Sequence, residues 1–165
     1  MELQLFDQVG DLVRAMVPEG VGTIRMRSHR RGLKVWFGPE TPVKEHYEAQ
    51  FISSRYVDGA ESEGSEGSEG SEGSEGSTLE VGFHSEHKEV AKNEAALMLL
   101  TKARKTWVGE LGKEAEAGPF LGNDGWRRLS DVWADVDPDD PELAFEIAGR
   151  LVDYISLFEP IRQGG

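Results

Sequence analysis

Cysteine is absent from the 165 residues. Its absence excludes a disulfide scaffold, a thiolate zinc site, an iron–sulfur cluster and a cysteine nucleophile, and it fits a reducing compartment. No stretch approaches the ~20 apolar residues of a membrane helix. Met1 to Asp7 contain no basic segment followed by an apolar run, so no signal peptide is read there. A cytoplasmic protein with no membrane partner is expected. A phosphate loop, a dinucleotide-binding glycine fingerprint and a nucleophile elbow are all missing. Cations are scarce as well: 18 Lys and Arg stand against 31 Asp and Glu, a net charge of −13. Nucleic-acid binding depends on neutralising phosphates, so this balance argues against a nucleic-acid partner.

Six of the acids lie in residues 61–77, a Glu-Ser pair followed by repeated Glu-Gly-Ser, and −13 less those six still leaves −7. The tract has no apolar residue to bury. Gly loses the most entropy on ordering and the glutamates repel one another, so a disordered insert is expected. A natural repeat expansion and an engineered linker would have the same composition. A chain of this length suits one domain. Residues 1–165 are therefore read as a single α+β domain interrupted once.

Hydrophobic spacing supplies the elements. Leu5, Val9, Leu12, Val13 and Met16 form a helical stripe that Pro18-Glu19-Gly20 ends. Val21–Ser28 and Leu33–Phe37 alternate as two strands around the turn His29-Arg30-Arg31-Gly32. His46–Val57 and Leu79–Glu86 alternate as a third and fourth strand, with the Glu-Gly-Ser tract expanding the tip of their hairpin. Lys88 to Leu111 has helical spacing at Ala96, Leu100, Ala103, Trp107 and Leu111. Residues 118–122 are expected to form a loop in which Phe120-Leu121 is a plug or an exposed contact. Asn123 or Asp124 is expected to cap a short helix with Trp126, Leu129 and Trp133. Asp140-Pro141-Glu142 starts a final helix, striped by Leu143, Ile147, Leu151, Ile155 and Phe158 and ending near Pro160. The expected fold is thus an N-terminal helix, a four-stranded antiparallel meander and three helices packed on one sheet face.

This alternation puts Arg25, Arg27, Lys34, Trp36, His46, Glu48, Gln50, Glu80, His84 and Glu86 on the opposite, polar face. Hairpin pairing brings His46 and Glu48 near His84 and Glu86. Imidazole and carboxylate together suit zinc, manganese or iron, so these four are candidate ligands of a divalent metal. A solvated face with cross-strand ion pairs is the plainer expectation. Arg25 and Arg27 beside Trp36 are candidate binding residues, able to grip phosphate with the indole as a stacking platform. Pairing with the acids of the same sheet is the alternative.

Glu86-His87-Lys88, at the end of an apolar strand, resembles the Glu-x-Lys of the restriction-endonuclease-like nucleases. In that superfamily an acid on the preceding strand and the Glu hold a divalent cation, and the Lys helps activate water or stabilise charge. The resemblance implies catalytic roles for Glu86 and Lys88. Asp58 sits at the wrong end of the hairpin for the first acid, and Glu45 or Glu48 is better placed. The resemblance covers the hairpin alone, because no strand is read beyond residue 88.

Two functions are therefore carried forward. One is a non-catalytic domain that presents its charged sheet face to a protein partner, with no cofactor. The other is a divalent-metal-dependent hydrolase or nuclease using Glu48, Glu86 and Lys88 with His46 and His84. Partner, substrate and oligomeric state have no signal in the sequence.

Overall fold

The computed structural model describes residues 2–38, 44–53, 77–120 and 122–164. The chain runs α1 (Glu2–Met16), β1 (Ile24–His29), β2 (Gly32–Phe37), β3 (Glu45–Ile52), β4 (Ser77–Ser85), α2 (Val90–Lys102), α3 (Arg104–Leu111), β5 (Glu116–Phe120), β6 (Asn123–Val136) and α4 (Leu143–Gly164). Six strands form one antiparallel sheet in the order β1-β2-β3-β4-β6-β5. The fold is α+β, with six described strands where four were expected. No helix of the described residues is long and apolar enough to cross a membrane. The Glu-Gly-Ser tract lies outside the described residues except for Ser77, which opens β4.

The core forms where helix stripes meet the apolar side of the sheet. Phe6, Val9 and Val13 of α1 and Ile147, Leu151, Ile155 and Phe158 of α4 are buried with Leu33, Val35, Tyr47, Ala49, Phe51, Leu79, Val81, Phe83 and Leu129. Helix α1 lies on β1 and β2, and α4 lies on β3, β4 and α1. Phe158 is a hub, its ring edge-on to Phe83, Trp107 and Tyr154 at 5.3–6.2 Å.

Three local expectations need correction. The segment read as a loop and a capped helix is the hairpin β5–β6. Trp126, Leu129 and Trp133 have helical spacing, but residues 127–136 complete the free edge of β4 by pairing with Ser77–Ser85. That demand for backbone partners comes from far along the chain and outweighs local spacing. Pro119 is tolerated because β5 is an edge strand. Gly122, at φ +86°, makes the tight turn.

The long helix after β4 is two. The Leu100 carbonyl accepts from the Ala103 amide at 3.1 Å and from the Trp107 indole at 2.9 Å, which breaks the ladder at Ala103. Finally, α4 continues past Pro160 to Gly164. Pro160 supplies no N–H, but the last turn is held from outside the ladder: Gln163 donates to the Val21 carbonyl, and Arg162 pairs with Glu45 and Glu159.

Candidate functional site

Antiparallel pairing sets His46 directly opposite His84 and Glu48 directly opposite Gly82. Residues 46, 48, 80, 82 and 84 share one face by strand alternation. Gly82 presents no side chain, so Glu48, Glu80 and His84 lean over it from three sides. Beyond Ser85 the chain leaves the strand, and the Glu86 amide still donates to the Lys44 carbonyl at 2.7 Å.

The expected cluster assembles. His46 Nε2, His84 Nδ1, a Glu48 oxygen and a Glu86 oxygen all lie within 4.8 Å of one another. Both imidazole nitrogens are 3.1 Å from Glu48 Oε1. Glu86 Oε2 is 3.6 Å from His46 Nε2 and 3.5 Å from His84 Nδ1.

The β3–β4 part of the face is not solvated, which corrects the plainer expectation there, while Arg25, Arg27, Lys34 and Gln50 keep exposure. His46, Glu80 and His84 have no exposed surface and Glu48 has 3%, while Glu86 keeps a little. The assignment of residues to faces holds. What differs is that this part of the face is packed too. Phe120, at the tip of the β5–β6 hairpin, stands edge-on to the His84 ring at 4.7 Å and to Trp126 at 5.3 Å. Phe120 is therefore a plug, and Leu121 lies outside the described residues.

Three of the four converging groups, His84, Glu48 and Glu86, have a second partner. His84 Nε2 faces Glu80 Oε2 at 2.6 Å. Glu80 also accepts from Gln50 at 3.0 Å. His29 Nε2 faces Glu48 Oε2 at 2.7 Å, and Lys34 Nζ lies 3.8 Å from Glu86 Oε1. His46 Nδ1 is buried without a partner, as is Arg128 Nε on β6 among the described residues. Such outer contacts fix which nitrogen or oxygen faces inward, as they do around metal-ligating histidines.

Electrostatics follows from this packing. Burial alone would raise the Glu48 carboxyl, but hydrogen bonds from His29, His46 and His84 outweigh it and hold Glu48 well below the usual carboxylate value. Glu80 is likewise raised by burial and brought below its usual value by His84, Gln50 and Ser130. The two central histidines diverge. Burial dominates His46 and lowers it, whereas Glu80, Glu48 and Glu86 overcome burial at His84 and raise it well above the ordinary imidazole value.

The other expected residues fall outside the cluster. Lys88 is exposed on the bend before α2, and the lysine facing Glu86 is Lys34. Trp36 is only 6% exposed, too covered to serve as a stacking platform. The Arg27 guanidinium lies 6.0 Å from the Trp36 ring, and Arg25 Nε donates to the Gly38 carbonyl. Alternation in the sequence placed Glu80 on this face without a ligand role, and it singled out none of His29, Gly82 and Asn93. A glycine inside an apolar alternating strand is the usual mark of a close approach, and it was the available signal for Gly82.

An open groove of ≈ 570 Å³, lined by Met16, Trp133, Phe145 and Arg150, contains no comparable chemistry. Its arginine is engaged with Asp131 at 2.7 Å. Comparison with protein-family models, curated proteins and solved structures finds no match for this chain.

Proposed function

We propose that this domain binds a divalent transition-metal ion through His46 Nε2, Glu48 Oε1, His84 Nδ1 and Glu86 Oε2. The observation that supports this reading is the spacing of the four atoms: 3.1, 3.1, 3.5 and 3.6 Å across the nitrogen–oxygen edges. Zinc bonds of about 2.0–2.1 Å in a tetrahedron require donor–donor edges of about 3.3–3.4 Å. Two imidazoles favour zinc, manganese or iron over magnesium or calcium, which take oxygen donors. Two carboxylates balance the ion's charge inside a buried site. The outer partners suit the same chemistry. Glu80 takes the Nε2–H of His84 and leaves its Nδ1 lone pair for the ion.

The protein-interaction reading loses its main support, because five of its outward residues, Trp36, His46, Glu48, Glu80 and His84, are buried. Hydrolysis needs substrate to reach the ion, and three of the four donors are covered. The function that fits best is thus a metal-binding domain whose ion is held by protein on most sides. Isothermal titration of chelator-treated protein with Zn²⁺ and Mn²⁺ tests it. One ion per chain, lost in His46→Ala with Glu48→Gln, is the expected result. Absence of saturable uptake by the unaltered protein would overturn the proposal. Turnover of a phosphodiester by the loaded protein would restore the hydrolase reading.

A further inference from the structure

Three of the four donors stand on regular strands, and Glu86 does not. It is the first residue beyond β4 and the only donor with appreciable exposure, 11%. No ladder position fixes its backbone on the β6 side, since that pairing ends at Ser85↔Arg127. On the β3 side the segment is tied by the Glu86 amide to the Lys44 carbonyl at 2.7 Å and by His87 Nε2 to Glu45 Oε2 at 2.8 Å; on the other side it is held by one side chain of α2. Asn93 is fully buried. Its Oδ1 accepts from Ser85 Oγ at 2.9 Å and from the His87 amide at 2.7 Å. Its Nδ2 donates to the His87 carbonyl at 3.0 Å and to the Gly125 carbonyl at 2.8 Å. All four hydrogen-bonding positions of this amide are engaged, and three of the four bonds grip the residues on either side of Glu86.

We infer that Asn93 is a latch that positions Glu86 as the fourth ligand, and that opening this latch is the route by which the ion enters and leaves. The inference rests on the metal-binding reading. The physical argument is one of relative freedom. His46, Glu48 and His84 cannot withdraw without parting β3 from β4. Glu86 can swing out when the 85–87 turn loosens, and the Asn93 amide resists loosening with three bonds at once, against one each to Lys44 and Glu45. Its fourth bond, to Gly125, ties the same turn to the hairpin whose Phe120 covers His84. One event therefore uncovers the ion from two sides.

The test loads the full chain with Co²⁺, a visible-absorbing substitute for Zn²⁺, and follows release into excess chelator by stopped flow. The variants are Asn93→Ala and the milder Ser85→Ala, which removes a single bond and keeps the measurement possible if the first fails to fold. Ile147→Ala, in the core of α4, is a control that lowers stability without touching the turn. Loss of an outer partner typically costs about 10- to 100-fold in affinity, so release should quicken by about that factor in Asn93→Ala and by less in Ser85→Ala. The cobalt absorption bands should also change in Asn93→Ala, reporting a disturbed fourth ligand. Equal release from the unaltered protein and both turn variants would overturn the latch while leaving the metal site standing. So would equal acceleration in Ile147→Ala, because release would then follow global stability. Failure of the unaltered protein to take up Co²⁺ or Zn²⁺ would overturn the metal reading itself.

Discussion

His84 and Glu80 touch at 2.6 Å although they stand four residues apart on the same strand. Four residues of extended chain span about 13 Å. The two long side chains close this gap by reaching toward each other over Gly82, the position between them on that face. Across the ladder Gly82 meets Glu48 on one side and Ser130 on the other. A Cβ at Gly82 would lie 2.5 Å from the Leu129 carbonyl oxygen and from Ser130 Cα.

Gly82→Ala should therefore be costly. The atoms it would meet belong to the backbone of β6 and cannot rotate away. Overpacking of this kind costs about 1–3 kcal/mol, and β4–β6 pairing should loosen with it. Chemical denaturation measures the loss. A variant as stable as the parent would mean that β6 does not approach β4 at this point.

His84→Ala should destabilise the metal-free protein by about 3–5 kcal/mol, the range for removing one partner of a buried ion pair. Glu80 would keep Gln50 and Glu48 would keep His29 and His46, but both buried carboxylates would lose the imidazole between them. Glu86→Ala should cost about 1 kcal/mol or less, since Glu86 reaches the surface and its lysine is 3.8 Å away. Urea titrations of the two variants under chelation separate these cases. Equal costs would show that His84 is as solvated as Glu86.

The pH dependence of the metal-free protein has a definite shape. Glu48 and Glu80 titrate below their usual value near 4.3, so their stabilisation is present above that pH and is lost as pH falls through their folded values. His84 titrates well above the usual 6.5, so its contribution is present below 6.5 and is lost as pH rises through its folded value. His46 is lowered; its smaller contribution is present above 6.5 and fades on acidification, which moves the optimum toward the upper end of the 4.3–6.5 window. Melting temperature should fall on both sides of this window, and His84→Gln should lose the alkaline fall. Saturating zinc should also remove it, because the ion replaces the proton on Nδ1. An alkaline limb unchanged by zinc would count against His84 as a ligand.

Ile147→Ala should cost about 2–5 kcal/mol through the cavity it leaves, since Ile147 has no exposed surface beneath α4. A denaturation midpoint within about 0.5 kcal/mol of the parent would mean that α4 is not docked on the sheet.

Local pattern by itself determined the strand alternation in β1 to β4, the stripes of α1 and α4, and the approach to α4, which begins at Leu143 after a turn in which Asp140 Oδ1 accepts from the Glu142 amide at 2.9 Å. Each depends on periodicity or on a cap within a few residues, so each is written locally. The same alternation placed His46, Glu48, His84 and Glu86 together, because one antiparallel hairpin relates them. Tertiary structure decided the rest. The Trp126–Trp133 segment is a strand because the edge of β4, which lies 42 residues earlier at Ser85↔Arg127, needs backbone partners. Burial of the polar face came from Phe120 and from the crowding of long side chains over Gly82, and single-strand periodicity carries no information about what covers a face. His29 joined the site through a partner 19 residues away, a separation set by strand pairing, and Asn93 joined it through Ser85 and His87, 8 and 6 residues away, by the docking of α2; Glu80 lay on the face by alternation, but its contact with His84 depended on the empty position at Gly82.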